Sequence, residues 1–206
     1  MKFSGLLRQT WAGLRIMIVL TILLGIVYPL AVWGVSRVPG LHDQAEGSII
    51  TQNGQPVGSS LIGLNPVGDQ YFHTRASALA TDYASGDDLG LGANDASSSA
   101  ASNLGAGNPT LVKQIAARKA YIAKQNGVSP DQVPADAVTA SGSGLDPDIS
   151  PAYADIQVAR VARANGLTVA QVQRLVDENT QGRALGFLGE PVVNVLDLNL
   201  AVQRLR

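Results

Sequence analysis

Cysteine is absent from the 206 residues, and histidine occurs only twice, as His42 and His73. Without cysteine the chain can form no disulfide, no thiol nucleophile, no cysteine-based zinc site and no lipid attachment at a thiol. Two histidines without cysteine also disfavour a dedicated transition-metal site. The absence of cysteine leaves the redox compartment open, because many proteins of either compartment lack it.

Charge is scarce as well, since only 15% of the residues are charged and the formal net charge is −1. The basic residues after Arg37 are scattered, so they form no stripe that would bind nucleic-acid phosphates. The chain also lacks GxxxxGK[ST], a GxGxxG that follows a strand, and GxSxG. These absences disfavour a nucleic-acid binder, a P-loop or dinucleotide-binding enzyme and an α/β-hydrolase.

Apolar residues are abundant, at 46%, and they concentrate in an uncharged run of 20 residues from Ile16 to Val35. Such a run is long enough to cross the hydrocarbon core as a helix. Trp11 and Trp33 bracket it, about 33 Å apart along a helix, which suits the two interfaces of a bilayer. The pattern predicts a membrane span rather than a buried soluble helix. A cleaved signal peptide is the main alternative, but its apolar region is shorter and ends in small residues.

The charges beside the run predict its orientation. Three basic residues and no acid precede it, whereas Arg37 is soon followed by Asp43 and Glu46. By the positive-inside rule, residues 1–36 form a cytoplasmic N-terminus and a transmembrane anchor. Residues 37–206 then form a domain outside the cytoplasmic membrane.

Within the span, Thr21, Gly25 and Pro29 recur every four residues. Small residues at this spacing form a stripe against which another helix packs closely. Glycine and proline are common in membrane helices, so the stripe is equally compatible with no packing role.

Turn and cap residues divide the outer domain into elements. In chain order they are a hairpin around Asn53-Gly54, a helix from Asn108-Pro109 to Gly127, a helix from Ser150-Pro151 to Gly166, a helix that starts at the Thr168/Gln171 capping box with Val169, Val172, Leu175 and Val176 on one face, and a β-rich run from Val192 to about Asp197. Early strands, later helices and a final strand predict a small mixed α+β domain.

Residues 82–108 are almost entirely glycine, alanine, serine, asparagine and aspartate. Such a segment buries little apolar area, so we expect a long exposed loop. Its Asp82, Asp87, Asp88 and Asp95 raise the question of calcium, but their spacing fits neither the EF-hand loop nor the nonapeptide calcium repeat.

The stretch "TASGSGLDPDISPAYA" combines turn formers with hydroxyls and acids, and its notable residues are Ser141, Gly142, Ser143, Gly144, Asp146 and Ser150. We interpret it as a rigid loop that leads into a proline-capped helix. The alternatives are the rim of a partner interface, a weak anion site at the helix start, and a hydrolase built on Ser141, His73 and Asp146. No other general base, metal cluster or phosphate-binding lysine accompanies it.

Six segments occur in a fixed order behind the span: "GSSLIGLN", "YFHTRASA", "SNLGAGNPTL", "VTASGSGLDPDISPAYA", "QVARVA" and "PVVNVLDLNLA". As a set they resemble the C subunit of the bacterial Kdp-type potassium-importing P-type ATPase, over essentially the whole chain. The chain departs from the common family pattern at Ala76, Asp148 and Ala159 and by an expansion from Asp87 to Ser99. These departures concern loop geometry.

The resemblance implies a non-catalytic subunit of a complex in the bacterial inner membrane. The implied partners are a potassium-conducting channel-like subunit, an ATP-hydrolysing P-type subunit and a small single-span subunit, so ATP and potassium are handled by the complex and this chain holds no cofactor of its own. The family is also described as a catalytic chaperone that raises the ATP affinity of the hydrolysing subunit, with Gln157 as the implied nucleotide contact. That role conflicts with the orientation above, which places Gln157 outside.

Overall fold

A computed structural model describes residues 3–80 and 89–206. The chain divides into two compact units, one that ends at Ser48 and one that begins at Ile49. The first unit is helical, with α1 Phe3–Ile22, a π turn Leu23–Val27, α2 Tyr28–Ser36 and the short α3 His42–Ala45. Its stretch Gly5–Ser36 is long and apolar enough to cross a membrane, and none of it is buried in the protein.

The π turn follows from Pro29, the second residue of α2. Proline has no backbone N–H to donate, and its ring clashes with the carbonyl four residues earlier, here that of Gly25. The backbone N–H of Tyr28 bonds instead to the carbonyl of Leu23, five residues back. The hydrogen-bonded turn at this point therefore contains one residue more than a turn of α-helix, as in a π-helix.

The second unit is a mixture of helices and short strands, which confirms the predicted α+β class. Its strands are β1 Ile49–Gln52, β2 Gln55–Ser59, β3 Asp148–Ile149, β4 Thr180–Gln181 and β5 Val192–Asn194. Its helices are α4 Pro109–Asn126, α5 Ala135–Val138, α6 Pro151–Asn165, α7 Val169–Asn179 and α8 Val195–Arg204. β1 and β2 form an antiparallel hairpin, and β3, β5 and β4 form an antiparallel sheet in that order.

The turn and cap residues lie where they were predicted, at the ends of the strands and helices. Asn53 and Gly54 both have positive φ, +52° and +76°, and join β1 to β2 as a type I′ turn. The side chain of Asn108 accepts from the N–H of Thr110 at the start of α4, and Gly127 ends that helix in the left-handed conformation. These predictions are confirmed.

The later caps are confirmed too. The Ser150 side chain accepts from the N–H of Tyr153, and Gly166 ends α6 in the left-handed conformation. Thr168 and Gln171 form the predicted reciprocal capping box at the start of α7. On α7, Val172 is fully buried, but Val169 is exposed because it occupies the first position of the helix.

The prediction of a β-rich run to Asp197 is wrong after Asn194. Only Val192–Asn194 is a strand, and the chain continues as α8. The Asn194 side chain accepts from the N–H of Asp197 and so caps the new helix. The alternating residues of "VLDLNL" suggested a strand, yet their apolar positions also satisfy a helical face.

The core lies between α4, α6, α7, α8 and the three-stranded sheet. Its fully buried apolar residues include Phe72, Ile122, Ile149, Val158, Val161, Val172, Val176, Val193 and Leu198. Asn199 joins the beginning of this unit to its end, because its amide accepts from the N–H of Phe72 at 2.8 Å and donates to the carbonyl of Phe72 at 2.9 Å. The last helix is therefore bonded directly to a residue 127 positions earlier.

The expected loop 82–108 is only partly exposed. Leu89 is buried, the carbonyl of Gly90 accepts from the N–H of Ser77 at 2.8 Å, and the Asn94 amide donates to the carbonyl of Gly63 at 2.9 Å. Residues 89–94 thus pack against the domain, which corrects the expectation of a fully exposed loop. They do so because Ser77 and Gly63, outside the segment, supply hydrogen-bond partners. Asp82, Asp87 and Asp88 lie outside the described residues.

Candidate functional site

The Ser-Gly-rich loop 139–150 is fixed to the domain by backbone hydrogen bonds. The N–H of Ser141 donates to the carbonyl of Ala76, and the carbonyl of Leu145 accepts from the N–H of Gly63, both at 2.8 Å. A Cβ atom at Gly63 would lie 2.2 Å from the carbonyl oxygen of Asp146, so only glycine fits there. The loop is therefore clamped to residues 63–76, a segment far away in sequence.

The hydroxyl groups of Ser141 and Ser143 are used inside this loop. Ser141 Oγ accepts from the N–H of Gly144 at 3.0 Å, and Ser143 Oγ accepts from the N–H of Leu145 at 3.1 Å. Such side-chain to backbone bonds replace the ladder bonds that the loop lacks. Ser141 and Ser143 thus stabilise a turn within the loop.

The two glycines of "SGSG" have different roles. Gly144 has a φ of +74°, and a Cβ atom there would lie 2.9 Å from the carbonyl oxygen of Ala100 and from Ser77 Oγ. Gly142 has nothing within 4 Å of a built Cβ atom. Only Gly144 is required by the geometry of the loop.

Each of the three candidate hydrolase residues is hydrogen-bonded to a group outside the proposed triad. Asp146 pairs with the guanidinium of Arg75 at 2.7 Å, and Ser141 closes the turn described above. His73 Nε2 lies 3.0 Å from the carbonyl oxygen of Gly68, so this ring nitrogen serves as a loop-fixing donor. The serine, the histidine and the aspartate thus form no hydrogen-bonded triad among residues 3–80 and 89–206.

The surroundings of His73 also make it a weak base. Burial disfavours the imidazolium, and the positive charge of Arg160 opposes it, so that the pKa of His73 falls from 6.5 to about 4. A general base works best with a pKa near the operating pH. The electrostatics therefore agree with the geometry in disfavouring hydrolysis.

The start of α6 does not offer an anion site, because the chain supplies the anion. The carboxylate of Asp136 accepts from both the backbone N–H and the hydroxyl of Ser150, each at 2.9 Å. Ser150 Oγ in turn accepts from the N–H of Tyr153. Asp136 therefore already provides the negative charge that a helix N-terminus favours.

Gln157 lies at the centre of a buried polar network. Its Oε1 accepts from the N–H of His73 and from Nη2 of Arg160, both at 2.8 Å. Its Nε2 donates to the carbonyls of His73 and Tyr153. The side chain has no exposed surface, and its amide has used its two acceptor and two donor positions.

Arg160 extends this network and is only 1% exposed. Its Nη1 donates to the carbonyls of Asp69 and Tyr71 at 2.7 and 2.8 Å, and its Nε donates to Asn126 Oδ1 at 2.9 Å. Burial lowers the pKa of the guanidinium. We call Gln157 and Arg160 with these partners the polar hub; it ties residues 69–73 to α6 and to the end of α4.

Sequence reasoning missed the hub. The Gln and Arg of "QVARVA" are three residues apart and so share one helix face, but a charged residue on that face usually indicates solvent. The available signal was that no acid lies three or four residues from Arg160, which makes a solvated ion-pair face less suitable as an explanation.

A cavity of about 340 Å³ lies beside the hub, lined among others by Asp69, His73, Tyr121, Gln125 and Tyr153. Burial raises the pKa of the Tyr153 hydroxyl, so the phenol stays neutral. No cluster of three or more metal-ligating side chains occurs in the described part of the chain. The cavity wall is therefore neutral and amphipathic, apart from Asp69.

The candidate packing stripe of the span is interrupted by the π turn. Thr21 lies in α1, Gly25 lies within the turn and Pro29 lies in α2, so an ideal α-helical spacing does not relate them. Thr21 and Gly25 line a shallow depression together with Leu24. That a second helix packs in this depression stays a prediction.

Comparisons with known proteins agree over nearly the full length. The family model described as K+-transporting ATPase, c chain, matches residues 10–204. The chain is 48% identical over 203 residues to the potassium-transporting ATPase KdpC subunit of Kineococcus radiotolerans, which covers 98% of this chain and 97% of that protein. It is 49% identical over 186 residues to the KdpC subunit of Beijerinckia indica, covering 90% and 88%, and 44% identical over 199 residues to that of Mycobacterium bovis, covering 96% and 99%.

Proposed function

Since the chain belongs to the family of the K+-transporting ATPase c chain, we propose that it is a non-catalytic accessory subunit of an ATP-driven potassium import complex. Its apolar helix anchors it beside a potassium-conducting channel-like subunit, an ATP-hydrolysing P-type subunit and a small single-span subunit. Its folded domain lies outside the bacterial inner membrane and shapes the external entrance for potassium. Transport and ATP hydrolysis belong to the partners.

The anchor is supported by the residues at its two ends. The guanidinium of Arg15 lies 5.7 Å from the ring centre of Trp11, and that of Arg37 lies 5.1 Å from the ring centre of Trp33. Tryptophan and arginine are suited to the two interfaces of a bilayer, where one part of each side chain is apolar and the other is hydrated. The excess of basic residues before the span supports an N-terminus in the cytoplasm.

The accessory role is supported by how the polar residues of the domain are used. Ser141, Asp146 and His73 bond to separate structural partners, and the helix start at Ser150 already holds a carboxylate. Gln157 has no exposed surface and no vacant hydrogen-bonding position. We therefore assign Gln157 to the stability of the domain. Any gain in ATP affinity that the subunit confers would reach the hydrolysing subunit through the assembled complex.

The observation that carries the proposal is the family match from residue 10 to residue 204, which includes both the apolar helix and the folded domain. The test is a chain that keeps residues 1–48 but lacks residues 49–206, expressed with the other pump subunits. We expect a severalfold rise in the potassium concentration that half-maximally stimulates ATP hydrolysis, together with weaker recovery of the complex in detergent.

The matched comparison is the full chain, expressed from the same operon arrangement and purified in the same detergent. If both chains gave the same potassium dependence, the same maximal ATPase rate and the same yield of complex, the proposed role of the domain would be refuted. If the full chain purified alone and monomeric, membership in the complex would be refuted as well.

A further inference from the structure

Residues 182–190 form a short loop that we call the hairpin tip. Ala184 and Leu188 pair through two backbone hydrogen bonds of 2.9 Å. The N–H of Phe187 also donates to the carbonyl of Ala184 at 3.3 Å, and the N–H of Gly186 donates to that of Arg183 at 3.0 Å. The backbone of the tip is thus bonded internally.

The large side chains at the end of this tip, from Leu185 to Leu188, are apolar and exposed to solvent. Leu185 is 84% exposed, Phe187 is 68% exposed and Leu188 is 50% exposed. No polar side chain lies between Ala184 and Gly189. A contiguous group of large exposed apolar residues on a folded domain indicates a contact surface.

The backbone conformation strengthens this argument. Leu185 and Gly186 have φ values of +54° and +82°, close to the +52° and +76° of Asn53 and Gly54 in the β1–β2 turn. This turn type favours Asn-Gly, because a side chain with a bulky branch is strained in the left-handed region. At residue 53 the chain uses the favoured residue, whereas at residue 185 it uses leucine. The needs of the turn therefore do not explain Leu185.

We infer that the hairpin tip inserts into an apolar, uncharged socket on another protein subunit of the potassium pump. The inference rests on the proposed function and identifies one of its contact points. Three side chains bury too little area for a complete interface, so the tip acts as the anchor of a larger one. An apolar centre with the Arg183–Glu190 ion pair at its base matches the arrangement of an interface anchor and its polar rim.

A protein socket fits the tip better than a lipid surface. Arg183 and Glu190 are the only charged residues from 182 to 190, and they pair with each other, so the tip carries no net positive charge to attract anionic headgroups. A fluid bilayer accepts apolar side chains in any arrangement, whereas a shaped socket gains affinity from side chains held in one arrangement. A rigid and strained tip is suited to the second case.

The test uses the full chain and the pump purified without it. Leu185→Asn removes the apolar side chain and introduces the residue that the turn favours, and Phe187→Ser removes the aromatic ring. Val112→Gln is the matched control, since Val112 is 58% exposed on α4, away from the tip in sequence. We expect each tip variant to raise the dissociation constant about tenfold or more in detergent, and the control to change it less than about twofold.

Thermal unfolding of the same variants separates binding from folding. Leu185→Asn should leave the unfolding temperature unchanged or higher, so weaker binding with an intact fold supports the inference. If the wild-type chain binds and both tip variants bind as well, the inference is overturned while the proposed function stands. If the wild-type chain does not bind, the proposed function fails first. If binding is lost only in phosphatidylethanolamine and phosphatidylglycerol nanodiscs and not in detergent, the tip contacts lipid, which also overturns the inference.

Discussion

The apolar helix and the folded domain satisfy their polar groups with hydrogen bonds in opposite ways. From Gly5 to Ser36 the large apolar side chains are exposed, and the backbone is satisfied within the helix. The domain instead buries polar side chains such as Arg160, Gln157 and Asn199, each bonded to backbone groups of a distant segment. The domain therefore depends on a few polar side chains for long-range connections, whereas the apolar helix needs none.

Arg160→Ala should have the largest effect on the stability of the folded domain. The change removes the donor from the carbonyls of Asp69 and Tyr71 and from Oδ1 of Asn126, and it removes one of the two donors to Oε1 of Gln157. We expect the free energy of unfolding to fall by about 3–5 kcal/mol, because several buried acceptors lose their donor at about 1–3 kcal/mol each; the measurement is urea unfolding of the full chain in detergent. Arg163→Ala, an exposed position on the same helix, should change it by less than about 0.5 kcal/mol. Equal effects would show that the hub carries no special weight.

A middle-sized effect is expected from the loop 139–150. Gly144→Ala introduces a Cβ atom 2.9 Å from the carbonyl oxygen of Ala100 at a φ of +74°. We expect a loss of about 1–3 kcal/mol. Gly142→Ala, two residues away and with open space around its Cβ position, is the control and should be nearly neutral. The comparison of the two unfolding midpoints checks it; a neutral Gly144→Ala would mean that the loop is not clamped.

The smallest effect is the pH dependence due to His73. Its pKa is about 4 in the folded domain and 6.5 ordinarily, so between these values the unfolded chain binds a proton that the folded one does not. Stability should therefore fall as the pH drops from 6.5 towards 4 and be independent of this group above. We expect on the order of 1 kcal/mol from this residue, because its ring borders a cavity that admits water.

The variant that isolates this effect is His73→Gln, which should flatten the pH dependence of urea unfolding between pH 6.5 and pH 4. His42→Gln is the control, because His42 lies outside the folded unit. If the two variants kept the same slope, the buried neutral state of His73 would be wrong.

Local signals predicted much of this fold. The turn at Asn53-Gly54 and the caps at Asn108, Ser150 and Thr168 act through bonds that span only a few residues, so their effect can be derived from the sequence alone. The apolar helix was predictable for a similar reason, since its length and lack of charge are local properties.

Long-range bonds account for what the sequence did not predict. The polar hub depends on carbonyls that lie about 90 positions from Arg160, and no local sequence pattern predicts these bonds. Residues 89–94 pack because Asn94 finds the carbonyls of Gly63 and Gly144. The strand-like spacing of Val195 onward was decided by the cap at Asn194, which ends β5 and starts α8.

The bond pair between Phe72 and Asn199 bears on the order of biogenesis. It joins residues 127 positions apart, and its second partner lies in α8. A chain that folds as it is synthesised or crosses a membrane cannot complete this closure until residue 199 has arrived. Maturation of the domain therefore waits for α8, and ribosome stalling or early termination before residue 199 would release a subunit with an open, unfinished core.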